Sequence, residues 1–172
     1  EVQVALYEYG KSSLPAREGY IRQIVPFTTD LDKVSEELFA LRTNGGQEYC
    51  GWVIKDATEG LQWSSAPDDL KVMFIAGKEP FTQGPVDYRV SCKAAISKGI
   101  VVNTIHCGSP GAGLTGKWKD GAVLADGQYM NIDQNRRTVH INAPQDKQIA
   151  ELGIKLNDTY IAYGIKGKVA YE

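Results

Sequence analysis

Three short stretches carry residue types that could do chemistry. Ala76-Gly77-Lys78-Glu79 closes an apolar run that begins at Leu70, Gly45-Gly46-Gln47-Glu48 sets a carboxylate behind two glycines, and His106-Cys107 ends a second apolar run. In open α/β sheets ligands bind outside the carboxyl ends of the strands. A strand ending at Ala76 would therefore put Lys78 and Glu79 on a binding rim. The surface read from the sequence comprises Gly45, Gln47, Glu48, Lys78, Glu79, Phe81 and the loop from Gly108 to Gly113. Phe81 would be its apolar anchor, and Lys78 would meet an acidic partner group without a cation.

His106 and Cys107 raise a second class of function, a thiol-dependent or hydrolytic enzyme. Neighbours along a strand point to opposite faces, which argues against the two forming a nucleophile and its base. Cys50 and Cys92 fall on predicted helices as small core residues. The pairings Cys50 with Cys107 and Cys92 with Cys107 stay open as disulfides, and no CxxC spacing suggests a metal. The Gly108–Gly116 stretch matches neither GxGxxG nor a P-loop, so it reads as a flexible wall of the rim. Trp52 and Trp118 read as packing residues, His140 as a strand residue, and Trp63, set among polar residues, as a side chain available to a partner.

A chain of 172 residues suits one domain with a substantial core. Nineteen Lys plus Arg against 21 Asp plus Glu leave a formal charge of -2 and no basic stripe, which excludes the electrostatic signature of a nucleic-acid binder. No apolar run reaches the roughly 20 residues that span a bilayer. The N-terminal residues lack the pattern of a signal peptide, so the sequence reads as soluble and without a membrane span.

The elements that must position these residues follow from hydrophobic period. Val2–Tyr9 and Tyr20–Phe27 read as a hairpin, with Pro26 marking an edge. Thr29 with Asp32 gives a start signal for a helix from Leu31 to Leu41, whose face carries Leu31, Val34, Leu38 and Leu41. Cys50, Val53, Ile54 and Ala57 lie on one face of a second helix. Leu70–Ala76 reads as a strand buried on both faces. A helix marked by Val86, Val90 and Ala94 ends at Gly99, and the strand Ile100–His106 completes a right-handed βαβ unit. A helix carrying Trp118, Ala122 and Ala125 stops at Gly127, before a strand in Gln128–Asp133. Thr138–Asn142 reads as extended, and Pro144 opens a last helix with Ile149, Leu152 and Leu156 on one face.

Taken together, "VALYEYG", "LFALRTNGGQEYCGWVI" and "LKVMFIAGKEPFTQGPVDYRVSCKAAISKGIVVNTIHCG" resemble a von Willebrand factor type A domain, in a bacterial and often extracytoplasmic branch. The resemblance covers residues 1–133 and leaves 134–172 as a C-terminal extension packed on the same domain. It implies an open, mostly parallel, doubly wound Rossmann-like sheet with helices on both faces and an antiparallel edge hairpin. It further implies a non-enzymatic, protein-binding or adhesion module working at a metal-ion-dependent adhesion site. That site holds Mg²⁺ or another divalent cation on an Asp-x-Ser-x-Ser run, a Gly-Gly-Thr loop and a Thr-Asp-Gly strand end. Here Gly45-Gly46-Gln47 and Ile75-Ala76-Gly77 stand at the last two, and the first is missing together with its strand. Either Glu48 and Glu79 supply substitute oxygens, or the site works without metal. The missing strand would come from an N-terminal fragment, from a neighbouring chain or from the C-terminal segment. A structural piece of a larger assembly is a third reading consistent with that gap.

Overall fold

A computed structural model describes residues 2–42, 44–133 and 145–158, without the side chains of 156–158. The chain divides into two units, Glu1–Arg136 and Arg137–Glu172. The first unit holds strands β1 (Val4–Tyr9) and β2 (Ile21–Thr28), helices α1 (Leu31–Ala40) and α2 (Cys50–Gly60), and strand β3 (Lys71–Gly77). It continues through α3 (Tyr88–Ser97), β4 (Ile100–His106), α4 (Pro110–Thr115), α5 (Trp118–Leu124) and β5 (Tyr129–Asn131). The second unit contains α6 (Asp146–Asp158), on which Ile149, Leu152 and Ile154 are exposed. Thr138–Asn142 and Pro144 lie outside the described residues.

The α/β class and the elements around the rim agree with the sequence reading. β1 and β2 form an antiparallel pair, with Tyr9 opposite Ile21 and Glu8 opposite Arg22. β3, β4 and β5 form a parallel sheet in that order, with Ile75 opposite Thr104 and Gly77 opposite His106. One core joins the two sheets. Ile21 from β2, Ile75 from β3 and Ile100 and Val102 from β4 meet Cys50, Val53 and Ile54 of α2, Cys92 and Ala95 of α3, and Trp118 of α5. Phe81 and Tyr88 fill the space beside Trp118, their rings edge to face at 5.3 Å between centroids.

Several local expectations need correction. α1 is capped by Asp30, whose side chain accepts from the Lys33 amide, rather than by Thr29. None of the α1 residues is buried, so its apolar stripe has no cover among the described residues. On α3 the buried face is Tyr88, Ser91, Cys92 and Ala95, whereas Val90 is exposed. The glycine-rich stretch after β4 is helical over α4, because Ser109 accepts from the Ala112 amide and Pro110 suits the first helical turn. Trp63 is half-buried. Its indole N–H donates to the Ala57 carbonyl and its ring packs edge to face on Phe27.

β3 departs most from expectation. Its backbone alternates between a covered and a bare face: Ile75 is 4 % exposed, and Phe74 next to it is 64 % exposed. The sequence looked buried on both sides because Val72, Phe74 and Ala76 are as apolar as Met73 and Ile75. Leu70, Met130 and Ile132 extend the exposed apolar character of that face.

Candidate functional site

The loops that follow β1, β3 and β4 converge with the segment preceding α2, and Glu48 is the point at which they meet. Its Oε2 accepts from the backbone amides of Lys78 at 2.8 Å and Glu79 at 3.1 Å. These are charge-assisted bonds from a carboxylate to main-chain N–H groups, each stronger than a neutral pair. They satisfy two donors at the strand end that no ladder would otherwise pair. Gly77 must be glycine here, since a Cβ would strike both the Glu48 carboxylate and the Tyr9 hydroxyl.

Two further ties fix the rim. Tyr9, the last residue of β1, donates its hydroxyl to the Ala76 carbonyl at 2.8 Å and lies 3.7 Å from Cys50 Sγ. Burial, then the neighbouring Cys50 and Glu48, push the Tyr9 phenol well above its ordinary range. Gln83 Nε2 donates to the Gly46 carbonyl at 2.9 Å, joining the loop after β3 to the one before α2. Gln83 Oε1 is buried and has no hydrogen-bond partner among the described residues. Gly45 adopts φ 107°, a left-handed conformation natural to glycine, and a Cβ there would strike the Gly10 carbonyl.

The residues read from the sequence separate into two groups. Gly45, Gln47, Glu48, Lys78, Glu79 and Gly108 lie in the converging loops, with Gly45, Gln47 and Lys78 exposed. The Lys78 ammonium makes no ion pair among the described residues. Phe81 does not belong with them. It is fully buried between Tyr88 and Trp118, 4.9 Å from the Trp118 ring, so the expected surface anchor is a core residue. The indole N–H of Trp118 donates to the Glu79 carbonyl, fixing the loop from beneath.

Sequence reasoning missed Tyr9, Gln83 and Trp118 as the ties of the rim. Tyr9 was visible as the terminal residue of a strand. Gln83 gave no signal, because its role depends on two loops meeting in space.

Cys107 is half-buried, and its thiol is pushed up by burial and by the Glu48 charge, against a smaller opposing effect of the Gly77 backbone. His106 is turned into the core, where its Nδ1 pairs with Asn131 Oδ1 at 3.0 Å and its ring leans on Trp118. Asn131 Oδ1 also accepts from the Tyr129 hydroxyl, so the histidine Nδ1 is the donor. The pair thus lacks the thiolate character and the shared face that a nucleophile and base require. All three cysteines are free thiols, which overturns both disulfide pairings.

Solved structures with the same arrangement identify the fold. The crystal structure of BatB from Bacteroides thetaiotaomicron superposes with a TM-score of 0.59 at 14% identity, covering 92% of this chain and 80% of that one. The VWA domain of SpRpn10 gives 0.56 at 16% identity, over 78% of this chain and 67% of that one. The fold is that of a von Willebrand factor type A domain. An aerotolerance-related membrane protein from Bacteroides fragilis, solved with multiple mutations to serines, gives 0.57 at 12% identity over 91% of this chain and 80% of its own. No protein-family model and no curated protein matches the chain. Within this type A fold the site lies at the carboxyl ends of β3 and β4, the edge at which open sheets bind ligands. Among the described residues no helix is long and apolar enough to cross a membrane.

Proposed function

We propose that the chain is a protein-binding module that captures a partner at the carboxyl rim of its sheet through a degenerate metal-ion-dependent adhesion site. The observation that carries this reading is Lys78, an exposed cation with no ion pair among the described residues, on a loop whose own amide and the next are pinned by Glu48. A positioned ammonium can meet an acidic partner residue directly, where the family would place a cation between two carboxylates.

The donor set fits Mg²⁺ poorly. An octahedral ion needs several oxygens at close range, and among the described residues no group of three His, Cys, Asp or Glu side chains could hold one. Ala76 offers no oxygen from its side chain, and one oxygen of Glu48 is already bound to two amides. Capture without a resident cation is therefore the form of the site proposed here. A bacterial, extracytoplasmic setting fits the membrane protein among the similar structures. The partner class is polypeptide: a folded protein at the rim and, beside β1 and β3 where no strand pairs with them among the described residues, a strand from an N-terminal fragment or a neighbouring chain.

A displayed random-peptide library tests the rim. The wild-type protein should enrich peptides carrying Asp or Glu, with or without Mg²⁺, and Lys78→Glu should abolish the enrichment while changing stability by less than about 0.5 kcal/mol, as is usual for a surface substitution. Equal enrichment by both proteins would end this reading.

A further inference from the structure

Three chain ends meet at the end of α2 remote from Glu48. α2 closes at Gly60, where the Leu61 amide and the Trp63 indole N–H both donate to the Ala57 carbonyl, the indole at 2.9 Å. Trp63 thereby ties the segment carrying Ser64 and Ser65 to the helix end, just before β3 begins at Lys71. α3 ends in the same place. Lys98 is its C-cap, and Gly99, at φ 71°, turns the chain into β4.

These ends frame a cavity of about 420 Å³, within the size range of small-ligand sites. Two ammonium groups border it. Lys98 Nζ donates to the Thr58 carbonyl at 3.2 Å and Lys71 Nζ to the Ser64 carbonyl at 3.3 Å, and neither makes an ion pair among the described residues. An ammonium carries three donors, so each lysine is positioned by one and keeps two. The bond from Lys98 also answers the negative pole of the helix end. Glu59 is the one carboxylate in the wall, against two cations.

Thr58 adds an independent sign of a ligand. It lines the same cavity, is 2 % exposed, and its hydroxyl has no hydrogen-bond partner among the described residues. A helical hydroxyl can bond to the carbonyl four residues back, as Ser91 does to Asp87 in α3, but Thr58 does not. A buried hydroxyl left without a partner is destabilising, and a ligand oxygen beside it would remove that cost. Ser64 Oγ accepts from the Ala66 amide, which leaves its O–H to donate. Donors therefore outnumber acceptors in this wall, and an acceptor-rich ligand fits it.

We infer that the cavity binds a small organic phosphate, its phosphoryl oxygens held by Lys71 and Lys98 and one of them taking the Thr58 hydroxyl. Two lysines act on a phosphate as point charges, and a phosphomonoester brings about −1.5 to −2 charges and three strong acceptor oxygens. Leu61 and Trp63, both half-buried, offer an apolar wall to its carbon part. The cavity and the Glu48 rim lie at opposite ends of α2, so neither reading depends on the other.

The test is an amide-shift titration of the full chain with glycerol 3-phosphate, with glycerol as the neutral control. Saturable shifts are expected at Thr58, Ser64, Lys71 and Lys98 with the phosphate and none with glycerol. Lys98→Gln, which keeps a donor for the Thr58 carbonyl, should weaken binding at least about tenfold, as should Lys71→Gln. Thr58→Val should weaken it about fivefold while the Tm of the free protein stays level or rises, because an unpaired hydroxyl is removed. Lys78→Glu should bind as the wild type does. The absence of saturable shifts, equal affinity in both glutamine variants, or a Thr58→Val protein that melts lower yet binds equally would overturn the site. Binding to phosphatidate vesicles without binding to glycerol 3-phosphate would overturn it too, as the mark of a membrane surface.

Discussion

The two faces of the parallel sheet are built from the same kinds of residue and meet different fates. On one, Met73, Ile75, Val102 and Thr104 are roofed by α2, α3 and α5, and the Thr104 hydroxyl is satisfied by the Trp118 carbonyl at 2.8 Å. On the other, Leu70, Phe74 and Met130 are exposed. Burying an aliphatic or aromatic side chain contributes about 1.5–3 kcal/mol relative to exposure, and the second face gains little of this from the described residues. Residue type alone therefore does not tell whether a face is covered by the described residues.

The largest test of the difference is truncation on each side. Trp118→Ala should cost about 3–5 kcal/mol in chemical denaturation, because it removes a fully buried indole together with its bond to Glu79. A loss below 1 kcal/mol, on the order of a surface change, would show that the covered face is not the core.

Alkaline titration probes the same face through its thiols. Burial, followed by the charges of Asp120 and Asp87, pushes Cys92 from 9.0 up to about 12, and burial raises Cys50 as well. The native state then holds protons that the unfolded chain releases. Stability should be fully present below pH 9 and fall by about 1.4 kcal/mol per pH unit for each such thiol as pH rises from 9 through the folded value. Cys92→Ala should flatten part of that decline, and an unchanged slope would contradict burial as its cause.

At the rim the expected effect is smaller. Glu48→Ala removes the acceptor of two amides and should cost about 1.5–3 kcal/mol. It should also speed exchange at Lys78 and Glu79 selectively, and uniform acceleration across the first unit would mean that Glu48 does not act as a local clamp. Smallest of all is Phe74→Ala on the bare face, for which a change within about 0.5 kcal/mol is expected. A loss comparable to that of Trp118→Ala would erase the contrast between the faces.

Much of this organisation was legible in the sequence. Strand period and start signals placed β1 to β4 and the helices between them, and the "LKVMFIAGKEPF" stretch marked the end of β3, where Glu48 binds the Lys78 and Glu79 amides. Local chemistry was less readable. Phe81 follows a polar loop and looked exposed, but the chain turns at Pro80 and sends it under Trp118. Val90 fits a helical stripe as well as Ser91 does, and only the approach of α2, where Ser91 donates to the Gly51 carbonyl, decides which side is buried. Glycines after β4 suggested a loop, whereas the Ser109 cap and Pro110 start a helix. That β3 has a single strand neighbour among the described residues could not be read from β3 itself, because an apolar strand looks the same before and after it gains a neighbour.

Amide hydrogen exchange along β3 in the free protein tests the central claim most directly. Met73, Ile75 and Gly77 are paired with β4 and should exchange slowly, while the amides of Val72, Phe74 and Ala76 have no backbone partner among the described residues and should exchange much faster, giving a period of two along a single strand. Uniform slow exchange across all six would mean that β3 is paired on both edges, and the account of a strand bonded to β4 alone would be wrong.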